Sequence, residues 1–390
     1  MVEVIIKHVP TYNYSEVKRA IKESIYMLGG INAFIRPGQR VLIKPNLLAA
    51  STPEQAIVTH PYVVRAVTEL VIDVGAHPII GDSPAVGSFG KILKKTGLLE
   101  ALKDLNVEIK EFTNSTTVEA AHPFKKLELA TDALEADVII NLPKLKTHRQ
   151  MVLTVGIKNL FGCVVGMKKP QWHYRAGVNE EYFARLLVTI YQTLKPSLTI
   201  VDGILSLEGD GPGTSGIPRQ LGVIMASTDA LAIDITVSRM IGLEPETVPT
   251  NKAALSMLKD GKAFQREIKI EGILPTVSDF KLPDVTHLFF GPFYTHKLLR
   301  SYFITKPFSD PALCRLCGEC WKYCPAQVIT PREKGVAIDY NRCIRCFCCV
   351  EVCPHRAMKT KIPPAGKILK RVSDLFKIPL HNLIQSSHRR

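Results

Sequence analysis

CRLCGECWKYCP (residues 314–325) and CIRCFCCVEVCP (343–354) repeat one spacing: Cys314, Cys317, Cys320 and Cys324 before Pro325, then Cys343, Cys346, Cys349 and Cys353 before Pro354. In the pattern CxxCxxCxxxCP, three thiolates from one tight loop reach three irons of a cubane. The fourth, turned away by the proline, reaches the neighbouring cluster. The spacing therefore predicts two [4Fe–4S] clusters with crossed ligation. Cys314, Cys317, Cys320 and Cys353 would hold one, and Cys343, Cys346, Cys349 and Cys324 the other. Between the runs, GVAID (335–339) reads as a short strand that brings the second loop back over the first.

Two other uses of cysteine fit less well. A structural zinc site takes two separated CxxC pairs, which three steps of three followed by CP do not supply. A disulfide framework needs an oxidising compartment and a secretory signal, and the amino-terminal MVEVIIKHVP carries no such signal. Cys348 and Cys163 fall outside the ligand spacing and read as small buried or half-buried thiols. Along residues 310–360 the chain resembles bacterial-type two-cluster ferredoxins, which implies a small α+β two-cluster module near the carboxyl end.

At 390 residues and 46% hydrophobic content, the chain is long enough to bury one large domain beside this module. The net charge of +14 does not imply nucleic acid. Seven basic residues and Asp374 lie in 361–390, so six units of the excess belong to the tail. Basic runs interleaved with aromatics and zinc-finger spacings are both lacking. No window reaches the eighteen or so apolar residues of a membrane span. The expectation is a cytoplasmic protein with no transmembrane segment and no nucleic-acid partner.

From residue 1 to about 260, apolar runs alternate with helical-period segments. Residues 2–6 and 40–43 read as strands, with Ser15 capping the helix between them. Val63, Val64, Val67, Leu70, Val71 and Val74 share one helical face, stopped by Gly75. Residues 78–80, 138–141, 198–201 and 222–225 read as further strands, with helices near 183–194 and 229–240. This alternation predicts an α/β domain with a mainly parallel sheet and helices on both faces, its site beyond the carboxyl ends of the strands.

Those ends are polar. Lys44-Pro45-Asn46, Gly81-Asp82-Ser83 and Pro143-Lys144-Leu145-Lys146-Thr147-His148 each leave an apolar strand, and Gly156-Ile157-Lys158-Asn159 follows closely. A helical reading puts Thr154 and Lys158 on one face. A lone surface lysine is ordinary, but lysine beside proline at two strand exits is a repeated pattern. VLIKPNLL (41–48), NLPKLKTH (141–148) and GIKNLFG (156–162) together resemble the uncharacterised family called domain of unknown function 362, over roughly residues 1–300. The resemblance implies a shared site around these segments and often a fused ferredoxin module. A distant likeness to the amino-terminal domain of the lactate racemase group adds nothing to the expected site.

The expected pocket has Lys144, Lys146, His148 and Lys158 as catalytic candidates, and Lys44, Asn46, Asn159, Asp82 and Ser83 as substrate-binding ones. Clustered lysines favour a carboxylate or phosphate and depress one another's pKa, so one lysine or His148 can deliver the proton that accompanies an electron. The reading is an iron–sulfur oxidoreductase passing electrons between a soluble donor or acceptor protein and an anionic small molecule. The alternatives are a non-enzymatic electron carrier, a cofactor or cluster assembly factor, and a non-redox enzyme stapled by its clusters. The domain boundaries follow: 1–300, 301–360 and a basic amphipathic tail at 361–390. Residues 288–290 read as a brief strand. The glycine-rich loop 209–216 reads as a lid or simple loop, because Pro212 and Pro218 break the dinucleotide fingerprint. The segment Trp172-His173-Tyr174-Arg175 reads as a polar aromatic patch that either closes over the pocket or is ordinary loop packing.

Overall fold

The computed structural model describes residues 1–177, 179–283 and 302–368. The strands in chain order are β1 (Val2–His8), β2 (Arg40–Pro45), β3 (His77–Asp82), β4 (Glu108–Glu111), β5 (Ser115–Glu119), β6 (Lys126–Ala130), β7 (Val138–Leu142), β8 (Lys144–His148), β9 (Val152–Thr154), β10 (Leu198–Gly209), β11 (Gly216–Ser227) and β12 (Ile268–Glu271). Ten of these form one sheet in the order β12-β1-β11-β10-β7-β2-β3-β4, with β8 and β9 continuing from β10, and β5–β6 is a separate hairpin. The β10–β7–β2–β3–β4 stretch is wholly parallel, whereas β11 runs antiparallel to both of its neighbours.

Strand alternation explains the two cores. Val41 and Ile43 face helices Tyr14–Met27 and Pro61–Asp73, while Leu42 faces Glu180–Leu194 and Ala230–Met240. Both faces of the sheet are thus covered, as a parallel sheet requires. The first helix starts earlier than its sequence suggested. Asn13, not Ser15, accepts the Glu16 N–H and caps Tyr14–Met27.

A small module follows, with β13 (Lys306–Ser309) antiparallel to β16 (Met358–Lys361) and β14 (Ile329–Pro331) antiparallel to β15 (Val336–Ile338). One-turn helices, Glu319–Lys322 and Cys348–Glu351, carry cysteines from each run. The strand expected at 288–290, and the tail beyond Ile368, lie outside the described residues.

Three contacts hold the module to the sheet. Arg149, at the end of β8, donates to Thr360 Oγ1 of β16 at 2.6 Å and pairs with Asp210 at 3.1 Å. Thr214 donates to the Cys353 carbonyl at 3.0 Å. Gly213 passes so close that a Cβ there would stand 2.7 Å from the Glu351 carbonyl oxygen. The glycine-rich segment 209–216 is therefore the tip of the β10–β11 hairpin, and the missing side chain at Gly213 lets it lie against the cysteine module. Of the lid or simple loop expected from sequence, it is a hairpin loop packed on the cysteine module.

Candidate functional site

Where the carboxyl ends of the strands meet the cysteine module there is a cavity of about 790 Å³, including its open mouth. Proline stops β2 and β7 at Pro45 and Pro143, freeing the chain to turn polar groups inward. Asn46 and Leu48 come from the β2 exit, Asp82 and Ser83 from β3, and Lys146 and His148 from β8. Thr154, Lys158, Asn159 and Phe161 form the next wall, and Lys169 and His173 project from helix Lys168–Ala176. Opposite them stand Tyr323, Cys348, Glu351 and Val352 of the cysteine module.

Much of the polar lining is already bonded. Asn141 donates to the Gly156 carbonyl at 2.9 Å, and Asn159 donates to Asn141 Oδ1 at 2.8 Å. Asn46 donates to Asn159 Oδ1 at 2.9 Å, and Lys146 donates to Asn46 Oδ1 and to the Ile57 carbonyl, each at 2.7 Å. Asp234 accepts the Gly156 and Ile157 N–H groups at 2.7 and 3.2 Å, which sets the turn carrying Lys158. These groups position the wall.

Other lining atoms lack partners. His148 Nε2, Thr154 Oγ1, His173 Nδ1 and Glu351 Oε1 are buried with no hydrogen bond. Lys158 has its ammonium 5.6 Å from the Phe161 ring centroid and no hydrogen-bond partner among the described residues. His148 Nδ1 accepts the N–H groups of Gln150 and Met151 at 3.2 and 3.0 Å, so the ring hydrogen sits on Nε2. That nitrogen is 3.1 Å from Glu351 Oε1, off-axis for a hydrogen bond. Buried polar atoms without partners are costly, and their convergence here marks a ligand-sized polar site.

The electrostatics follow from enclosure. Burial lowers the His148 pKa to about 4 and that of His173 to about 3, keeping both neutral. Lys146 is pushed well below the ordinary lysine range by burial and then by Lys158, while burial brings Lys169 to about 7. Burial alone would raise the Glu351 pKa, but His148, Lys158 and His173 outweigh it and keep the carboxylate ionised. Asp82 is matched by Lys44 at 3.0 Å. The cavity thus sets Lys146, Lys158 and Lys169 against the carboxylates Asp82 and Glu351, with Lys44 matching Asp82 from behind the wall.

Of the residues read from sequence, Asn46, Asp82, Ser83, Lys146, His148, Lys158 and Asn159 come together around this cavity. Lys44 lies behind the wall on Asp82, donating to the Pro45 carbonyl. Lys144 points elsewhere, to Asp202 at 2.8 Å and to the Tyr12 hydroxyl, which donates to the same carboxylate at 2.6 Å. Thr154 and Lys158 both line the cavity, but not from one helix: Thr154 ends β9, and the helix begins at Gly156. Lys169, Glu351 and Cys348 were missed. An acidic residue and a spare thiol inside a cysteine loop were the available signal.

The eight cysteines surround two further cavities. One, of about 310 Å³, is lined by Cys314, Cys317, Cys320 and Cys353. The other, of about 330 Å³, is lined by Cys324, Cys343, Cys346 and Cys349. Each draws three cysteines from one run and one from the other, a donor set of four soft thiolates that suits an iron–sulfur cluster.

Fold and site together define an iron–sulfur electron-transfer protein in which an α/β domain closes a polar cavity against its cysteine module. The chain belongs to the family described as "Domain of unknown function (DUF362)", whose model matches residues 41–239. A 4Fe-4S dicluster domain matches residues 306–354. Thylakoid-associated protein sll1697 of Synechocystis sp. is 38% identical over 296 residues, covering 73% of this chain and 92% of that protein. Pyruvate synthase subunit PorD of Methanothermobacter marburgensis is 41% identical over 54 residues, 14% of this chain and 63% of PorD. Among solved structures, the lactate racemase apoprotein from Thermoanaerobacterium thermosaccharolyticum matches with a TM-score of 0.39 and 12% identity, over 58% of this chain and 54% of its own. Among the described residues no helix is long and apolar enough to cross a membrane.

Proposed function

We propose that the chain is an oxidoreductase that exchanges electrons between two [4Fe–4S] clusters and an anionic small molecule held in the polar cavity. Cys314, Cys317, Cys320 and Cys353 hold one cluster, and Cys343, Cys346, Cys349 and Cys324 hold the other. The clusters supply single electrons at the low potentials open to thiolate-ligated cubanes. A soluble protein is the external donor or acceptor, and the cytoplasm, which keeps thiols reduced, is the compartment.

The observation that carries this reading is the cavity's composition. Its walls are the Lys/His segments of the α/β domain on one side. On the other is Cys348, which sits between the ligand positions Cys346 and Cys349. A substrate there lies against the loop that holds a cluster. A free-standing electron carrier needs no such enclosure.

In this reading Lys158 binds the anionic group. Asn46 and Asn159 fix the wall, and Thr154 and His173 offer further hydrogen-bonding atoms. His148, a neutral ring with its hydrogen on Nε2, donates a hydrogen bond to the bound anion. Lys146, held below its usual pKa by burial and then by Lys158, is placed to give a proton as electrons arrive. Lys44 and Lys144 act from behind the wall by neutralising Asp82 and Asp202.

The test is anaerobic. The protein is reduced in the absence of substrate, excess reductant is removed, and small carboxylates and phosphates are added singly while cluster absorbance is followed. One class of anion should reoxidise the clusters, and Lys158→Met should abolish its binding. Anions that bind yet leave the clusters reduced would refute the oxidoreductase reading.

A further inference from the structure

The two four-cysteine cavities differ in exposure. Around Cys324, Cys343, Cys346 and Cys349 the walls include Val328, Ile329 and Phe347, and none of the lining residues is exposed. Around Cys314, Cys317, Cys320 and Cys353 the wall opens to solvent, with Cys317, Arg315, Leu316 and His355 exposed. Leu313 and Leu316 are each 40% exposed, and Arg356 is exposed beside His355. Glu319 is the one acidic residue in this lining, and it is half-buried.

Electron tunnelling falls steeply with distance, so a partner must approach the cysteine site with the thinnest cover. The inner site has no exposed wall and adjoins the substrate cavity through Cys348. Among the described residues, only the outer site has fully exposed residues in its wall. We infer that the face formed by Leu313, Arg315, Leu316 and Arg356 is a docking port for a small acidic one-electron carrier protein.

The chemistry at the rim selects that partner. Two exposed leucines offer a small apolar contact, and the exposed Arg315 between them and Arg356 next to the lining residue His355 favour a carboxylate-rich surface. The chain's +14 charge steers an acidic carrier inward, and a weak, short-lived redox complex needs less than about 1,200 Å² of interface. The step is one electron. The carrier is oxidised by one and the outer site reduced by one, with no bond made or broken. This inference goes beyond the cavity reading and stands whether or not the cavity takes an anion.

The experiment uses the full-length protein with both cysteine sites loaded, without substrate, mixed in stopped flow with a reduced acidic ferredoxin or flavodoxin. Cluster bleaching and complex affinity are measured across salt concentrations. Arg315→Glu with Arg356→Glu should slow reduction by the carrier at least tenfold at low salt and flatten the salt dependence. Bleaching by dithionite, which is small and does not dock, should be unchanged. Lys94→Glu with Lys95→Glu, on the exposed end of helix Phe89–Lys95, is the control and should leave the rate intact. If reversal at Arg315 lowers iron content, Leu313→Glu with Arg356→Glu carries the same expectation. A rate unaffected by reversal at the rim, or lowered equally by the control pair, overturns the assignment.

Discussion

Replacing Arg149 with methionine should loosen the cysteine module from the α/β domain without unfolding either. The Arg149 side chain is 1% exposed and reaches two elements remote in sequence: Thr360 at 2.6 Å and Asp210 at 3.1 Å. A hydrogen bond from a charged group contributes about 1.5–3 kcal/mol. Asp210 lies on the β10–β11 turn of the same domain as Arg149, so that ion pair does not count toward docking. Methionine keeps most of the buried apolar stem. The expected loss is therefore about 1.5–3 kcal/mol, roughly 12- to 140-fold in the docking equilibrium. Native-state hydrogen exchange reads this directly. The Gly211 amide, which donates to Thr147 Oγ1 at 3.2 Å beneath the interface, should lose protection by about that factor. Amides of β2 and β7 should not change. A lysine at 149 can keep one partner but not both, and should give an intermediate loss. Unchanged exchange at Gly211, or an equal loss across the central sheet, would refute this account of the docking.

Three further substitutions test the site. A Cβ at Gly162 would collide with Asp82 Oδ1 and Lys44 Nζ, so Gly162→Ala should cost about 1–3 kcal/mol by denaturant unfolding; a neutral result would mean that the wall is not tightly packed. Cys348→Ala should retain its full iron content whereas Cys349→Ala should not, because only the latter lines a four-cysteine cavity; iron analysis after anaerobic purification decides it. Burial brings Lys169 from 10.5 to about 7, so its ammonium is present below that pH and lost as pH rises through it. Anion affinity should be greatest on the acid side and fall as pH rises through about 7. Lys169→Met should remove that step in a calorimetric titration. Lys169's contribution to folding stability has the opposite slope, rising with pH between about 7 and 10.5, where the unfolded chain binds the proton that the folded one has released.

How far the sequence reaches can be seen residue by residue. The cysteine spacing shows three members of each four-cysteine set because each loop is local, with the CP step pointing to the fourth on the other run, and the strand exits at Lys44, Asp82 and Lys146 are visible because proline or a polar run interrupts an apolar strand. Lys144 and Lys146 cannot be told apart that way. They lie two residues apart on β8, yet one meets Asp202 and the other Asn46, partners 58 and 100 residues distant. Thr154 and Lys158 look like one helical face because the spacing is four. The pairing of β9 with β8 ends that helix before it reaches Thr154. Glu351 is hidden for a different reason. Its partner His148 lies on another domain, and nothing within the cysteine loop shows which way a carboxylate there will face. Docking depends on pairs such as Arg149 and Thr360, 211 residues apart, which no local period encodes.

Electron–nuclear double resonance on the reduced protein, with inorganic phosphate as the cavity probe, tests the central claim most directly. If the cavity ligand lies beside the inner cysteine site, the phosphorus nucleus should couple to the unpaired electron, and Lys158→Met should abolish that coupling. Phosphate bound in stoichiometric amount, lost on Lys158→Met and yet giving no coupling to either cluster, would contradict the account.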